Sequence, residues 1–255
     1  YSKASTSSKV LKSYAQGSIL KYKTFISNWY KATVIIKGKA ETGYINKSDV
    51  EIPTASPKTL HGVGKKSPTK VYSKASTGSK VLKSYAQGSI LKYKTFISNW
   101  YEATVIIKGK KETGYIQKSD VEAPTSSPTT LHGVASKSPT AVYTNATTHS
   151  KVLKSYAQGS ILKYKTFISG WYEAKVFIHG EPTTGYINSG EVQNIDPSPK
   201  TYKGILSQTA VTTVYSKPTV DSKVLKTYKK GATLKYRTFT TDWYQCTVYI
   251  KGKPV

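Results

Sequence analysis

The sequence has one cysteine, no methionine and one arginine, Arg237, among its 39 basic residues. A lone thiol excludes an intrachain disulfide and a cysteine-based metal centre. Only thirteen acids are present, and no pair of them recurs in a way that suits general acid–base work. The four histidines include His61 and His132 in a repeated "LHGV", while His149 and His179 stand alone. They read as surface or edge residues. No glycine loop of the phosphate-cradling kind is present. No apolar run is long enough to span a membrane as a helix, and no signal peptide is visible. These gaps lead us to expect no enzyme, no cofactor and no metal. A chain without methionine that opens in mid-pattern is expected to be a piece of something longer, and near-absence of cysteine suits an exported bacterial protein.

What is abundant is lysine. The formal net charge is +26, and 38 of the 39 basic residues are lysine. Such an excess points to a polyanionic partner. Arginine reads base edges and clamps phosphates in a bidentate manner, whereas lysine is a hydrated point charge on a flexible stem. The bias therefore suits a flexible, repetitive polyanion. It argues against specific nucleic-acid binding, leaving only the weak non-specific kind that charge alone produces.

The second abundance is repetition. Tyr1, Tyr72, Tyr143 and Tyr215 follow one another at intervals of 71, 71 and 72, and so do Trp29, Trp100, Trp171 and Trp243. Four units are expected: 1–51, 57–122, 128–193 and 200–255. The first lacks an "LHGV" segment and the fourth lacks "TGYI", so both outer units are expected to be truncated. Between 1–51 and 72–122 only positions 7, 31, 40 and 46 differ from their counterparts. A unit of this size is marginal alone and would gain from contact with a neighbour.

Each unit reads as β. Alternating runs rich in Val, Ile, Thr, Tyr and Phe are separated by turn residues. In the second unit strands are expected at 59–63, 69–75, 80–86, 89–97, 100–108 and 112–118. Short, closely spaced strands suggest a small closed barrel. The stretches 51–59, 122–130 and 194–201 are rich in Pro, Ser and Thr, and read as semi-rigid linkers between separate beads. The fold class expected is all-β, with tandem small barrels.

Alternation also sorts the side chains. Tyr30, Ala32, Val34 and Ile36 should form a core face, as should Tyr244, Cys246, Val248 and Ile250 in the fourth unit. Cys246 reads as a small buried hydrophobe. Leu20 and Tyr22 should face in, with Lys21, Lys23 and Phe25 facing out. The outward cations recur as Lys92 and Lys94, Lys163 and Lys165, and Lys235 and Arg237. They fit either a solvated face or a polyanion site. Their spacing along the strand, roughly 6.6 Å, resembles that of phosphates on an extended polyol-phosphate chain. Trp29, Trp100, Trp171 and Trp243 fit either barrel closure or a platform touching sugar or polyol. Ile35, Ile106, Phe177 and Tyr249 are apolar on the outer face and are expected to pack on a linker or a neighbouring unit. Several weak sites on one chain would gain avidity of about 10²–10⁴-fold if they engage together.

"GWY" at 170–172, "TGYI" at 184–187, the "HGV…SPT.VY" opening at 132–143 and the 71-residue period together resemble the GW modules, which are bacterial SH3-like repeats. Gly-Trp itself stands only at Gly170-Trp171; the other units have Asn28-Trp29, Asn99-Trp100 and Asp242-Trp243. The resemblance implies SH3-like barrels in a wall-attachment region of a secreted Gram-positive surface protein, such as an autolysin or adhesin. It implies binding to an anionic cell-wall polymer, commonly teichoic or lipoteichoic acid. Two other partners stay open: peptidoglycan peptides held in a groove between strands, and host glycosaminoglycans or other sulfated glycans.

Overall fold

The computed structural model describes residues 1–205 and 211–255. The five residues between them fall in the expected fourth unit, outside the described residues. The chain divides into two compact units, Tyr1–Ala123 and Pro124–Val255. Strands dominate both, joined by turns and by single 3-10 turns at Lys47–Asp49, Lys118–Asp120 and Ser189–Glu191.

The first compact unit holds a three-stranded sheet, Lys23–Ile26, Trp29–Ile36 and Lys39–Asn46, and a seven-stranded antiparallel sheet. The larger sheet runs in the order Val121–Glu122, Thr59–Gly64, Ile90–Ile97, Trp100–Ile107, Lys110–Gln117, Thr69–Tyr72, Val81–Tyr85. The second compact unit repeats that order with Val192–Asn194, Thr130–Ala135, Ile161–Ile168, Trp171–Ile178, Glu181–Asn188, Thr140–Tyr143 and Val152–Tyr156. Smaller sheets there join Thr201–Ile205 to Thr233–Thr238 and Tyr244–Gln245, Val211–Tyr215 to Val224–Lys229, and Tyr249–Ile250 to Lys253–Pro254. The strands expected for 57–122 all form, with ends shifted by up to three residues.

The alternation works as expected in the seven-stranded sheets. Leu91 and Tyr93 enter one core with Val71, Ala103, Val105 and Ile116. Leu162 and Tyr164 enter its counterpart with Val142, Ala174, Val176 and Ile187. Tyr93 stacks on Tyr101 at 4.1 Å, and Tyr164 on Tyr172 at 4.3 Å. Burial pushes the Tyr93 phenol up to about 12, with the neighbouring Tyr101 adding to the shift. The repeated glycines are set by this packing. A Cβ at Gly62 would lie 2.2 Å from the Tyr93 hydroxyl, and one at Gly114 would lie 2.5 Å from Val71 Cγ1. The "HGV" and "TGYI" segments thus owe their glycines to close approach. Gly170 has φ 75° with open space around it, whereas Asn28 and Asn99 hold the same turn without a positive φ. At the opposite hairpin, Lys108 and Gly109 both take positive φ, 48° and 78°. That is the pattern of a two-residue turn matched to strand twist.

Several expectations need correcting. Among the described residues no sheet closes into a barrel. The turn after Val81–Tyr85 is tied elsewhere: Gly88 N–H donates to Gly64 O at 2.8 Å, and Gly64 N–H donates to Ser89 O at 3.0 Å. This steers the chain away from pairing Val81–Tyr85 with the strand that follows. Ile35, Ile106, Phe177 and Tyr249 are not covered by a linker or neighbour but are exposed. They stand near hairpin tips. In the fourth unit Val248 is buried, but Tyr244 is 65% exposed. Val248 exchanges two backbone hydrogen bonds with Val255, at 3.0 and 2.8 Å, while Tyr244 pairs with Thr238 at the edge of a different sheet.

The linkers are hydrogen-bonded to the repeats that follow them. In the strand ending at Ile97 the register shifts between Thr95 and Ile97, and the bulge takes Phe96 out of the ladder. Its carbonyl accepts the Thr54 N–H at 2.7 Å and the Thr54 hydroxyl at 2.8 Å. Thr125 makes the same pair of bonds to Phe167 O, at 2.7 and 2.9 Å, and Asp196 N–H donates to Phe239 O at 2.7 Å. Linker and following repeat are thereby joined within each compact unit. Gly17, at φ +74°, lies so close to Ala75 that a Cβ would meet its backbone at 2.8 Å.

Candidate functional site

Strand alternation with a packed inner face forces every second residue outward. Leu91 and Tyr93 are held in the core, so Lys92 and Lys94 must project. All eight predicted cations, Lys21, Lys23, Lys92, Lys94, Lys163, Lys165, Lys235 and Arg237, are exposed. Arg237 alone is engaged: its Nε and Nη2 donate to Gln245 Oε1 at 2.9 and 2.6 Å. Among the described residues, the seven lysine ammoniums of this set have no hydrogen bond or ion pair.

The register shows what stands beside them. His61 lies opposite Lys92, and Thr59 and Glu102 flank Lys94. His132 lies opposite Lys163, and Thr130 and Glu173 flank Lys165. In the first repeat Lys31 stands opposite Lys23. In the fourth, Lys203 stands opposite Lys235, and Gln245 opposite Arg237. The outer repeats therefore present three cations without an acid, while the inner two present two lysines beside a glutamate. Sequence reading missed Lys31, Glu102 and Glu173 as neighbours of this row. Position 31 was visible as one of four differences between two near-identical units. What was missing was the bulge, which sets which residue of one strand faces which on the next.

Other recurring lysines lie elsewhere. Lys12, Lys83, Lys154 and Lys226 sit over the rings of Tyr14, Tyr85, Tyr156 and Tyr228, each two residues on, at 5.2–5.5 Å. Lys66 pairs with buried Asp120 at 2.5 Å, and Lys137 with Glu191 at 3.6 Å. The hydrogen bond and charge of Asp120 raise the Lys66 ammonium above its ordinary value. These two lysines tie a loop to the sheet.

The tryptophans take part in packing. Trp29 and Trp100 are each 8% exposed and meet Tyr1 and Tyr72 edge-on, with ring centroids 5.7 and 5.8 Å apart. Trp100 belongs to a second aromatic cluster with Tyr72, Ala75, Phe96 and Tyr115. Phe96, expected to point outward, does leave the main core but is buried in this cluster, as the bulge allows. Its counterpart Phe25 is 46% exposed. Trp171 and Trp243 keep the edge-on contact, at 5.8 and 6.0 Å from Tyr143 and Tyr215, and are half-buried.

Among the described residues no group of His, Cys, Asp and Glu is placed to hold a metal, and no helix is long and apolar enough to cross a membrane. Cys246 is half-buried, and burial raises its thiol pKa. No family model matches the chain, and no curated protein matches it.

Proposed function

We propose that the chain is a non-catalytic attachment region, made of SH3-like units at 1–51, 57–122, 128–193 and 200–255. On this reading it holds a secreted protein on an anionic polymer of the Gram-positive cell wall, teichoic or lipoteichoic acid. The observation that carries the reading is the outward row of lysines without partners, fixed by a core on the other side of the strand at Lys92 and Lys94 and again at Lys163 and Lys165. A rigid strand holds two ammoniums at constant spacing, while their flexible stems adapt to a mobile polymer. Each contact is weak and salt-sensitive, and several on one chain raise the avidity. Support for the SH3-like assignment comes from seven short antiparallel strands in the same order around one core in both large sheets. Any sugar or polyol contact by tryptophan falls to Trp171 and Trp243, which retain exposed surface.

The test is sedimentation with purified Gram-positive walls, before and after teichoic-acid extraction, at low and high salt. Binding should disappear on extraction and weaken steeply with salt. Replacing Lys92 and Lys94 with Gln should weaken retention without unfolding the chain. Binding that survives both extraction and salt would refute the reading and move the partner to peptidoglycan.

A further inference from the structure

The strand beside each cation row adds one more position to it. In the second repeat His61 pairs with Lys92 across the strands Thr59–Gly64 and Ile90–Ile97. In the third repeat His132 pairs with Lys163 across Thr130–Ala135 and Ile161–Ile168. In the fourth the same position is a lysine, with Lys203 opposite Lys235. Directly paired residues share a face of the sheet, with Cβ atoms about 4.5–5.5 Å apart. His61, His132 and Lys203 are all exposed, as are the lysines they face. Among the described residues no hydrogen bond or ion pair ties the imidazole of His61 or of His132.

The charged groups around each imidazole are few. Lys92 stands opposite His61, and Lys94 lies two residues along the same strand with Glu102 opposite it. On the other flank Glu122 pairs with Val63. Around His132 the set is Lys163, Lys165 and Glu173. Its other flank carries Gln193, opposite Val134, which donates to Asp242. Lysines, carboxylates and phosphodiesters ordinarily keep their charge between about pH 5.5 and 7.5, whereas histidine ordinarily changes its own there. Protonation therefore takes each inner row from two cations to three. The fourth repeat carries three permanently, as Lys203, Lys235 and Arg237.

We infer that His61 and His132 are further contact positions for the anionic polymer and that they gate its affinity by pH, so that the second and third repeats hold it more tightly in an acidic medium than in a neutral one. The inference rests on the polyanion reading above. A bound polymer places negative charge over Lys92 and Lys163, which favours the imidazolium beside each of them. Proton uptake and polymer binding then assist each other. Lys203 makes the fourth repeat indifferent to pH in the same range. The other two histidines stand off the rows: His149 has its Nδ1 3.4 Å from the Thr147 hydroxyl, and His179 sits at positive φ in a hairpin turn. They are the internal controls.

The test is titration of the 255-residue chain with unesterified poly(glycerol phosphate) at about pH 5.5 and about pH 7.5, at constant ionic strength. Two imidazoliums add two charge units, one on each row. Affinity should be about threefold higher at the lower pH at physiological salt, and about tenfold higher at low salt. His61→Gln with His132→Gln should abolish the pH dependence and hold the affinity at its neutral value. His61→Lys with His132→Lys should hold it at the acidic value throughout. His149→Gln with His179→Asn should leave the pH dependence of the parent in place. The inference alone is overturned if the parent binds equally at the two pH values, if His61→Gln with His132→Gln keeps the dependence, or if His149→Gln with His179→Asn removes it. Absence of binding at both pH values would overturn the attachment reading, and this inference with it.

Discussion

Replacing Glu102 with Lys should tighten polyanion binding, by an amount the register allows to be worked out. Glu102 lies opposite Lys94 across the strand pair, and no ion pair joins them. On the proposed function it would act on a bound anion through space. The substitution changes the face by two charge units. At about 6 Å from a polymer charge, each unit is worth about 0.7 kcal/mol in water. A Debye length of about 8 Å roughly halves this at physiological salt. The two units then give about 0.6 kcal/mol, or about threefold in affinity, rising to about tenfold at low ionic strength. The first repeat is the natural control, since Lys31 holds the equivalent position, opposite Lys23, in a strand of the same length. Lys31→Glu should lose the same factor that Glu102→Lys gains. Titration with purified teichoic acid at two salt concentrations measures both, with thermal denaturation to show that folding is unchanged. If both variants fold and bind like the parent at low salt, the polymer does not lie on this face.

Two further predictions concern the scaffold. Gly133→Ala puts a Cβ 2.2 Å from the Tyr164 hydroxyl and 2.6 Å from Val192 Cγ1. It should destabilise that sheet by about 1–3 kcal/mol, seen as a lower urea midpoint. Burial raises Tyr93 to about 12 and raises Tyr115 and Tyr186 in the same direction. A folded pKa above the unfolded one means stability that is full below pH ~10 and falls as pH rises through the folded values. The last part of the tyrosinate absorbance in an alkaline titration should therefore rise together with loss of β-structure; ionisation of all 21 tyrosines with the fold intact would contradict it.

Much of this was legible in the sequence because a strand with one packed face writes its geometry in alternate residues. Leu91, Lys92, Tyr93 and Lys94 give core and surface directly, and the glycines of "LHGV" and "TGYI" mark close approach. The bulge at Phe96 was not legible. It needs no glycine or proline, and it forms alike at Phe25, Phe96 and Phe167. The bonds made by the linkers were not legible for a related reason. Proline at 53 and 124 suppresses strand pairing, but the neighbouring Thr54 and Thr125 keep the N–H and hydroxyl that make the clamp. Alternation names the side on which Ile106 or Phe177 lies, but not whether anything reaches it. The pairing of Lys23 with Lys31, and of Lys94 with Glu102, depended on knowing how far the bulge shifts the register.

The clamp at Thr54 has a consequence for which polymers the chain would select. A fully flexible linker of nine residues would sample end-to-end distances of roughly 16 Å, so two sites joined by it could slide into step with any charge period. Thr54 bonded to the Phe96 carbonyl, with Gly17 against Ala75, removes that freedom within the first compact unit. Lys23, in the first strand, and the row at Lys92 and Lys94 then keep a fixed phase, like two marks on one ruler. A polymer whose charges match that phase engages both rows at once, whereas one of equal charge density and different period must strain or leave a row empty.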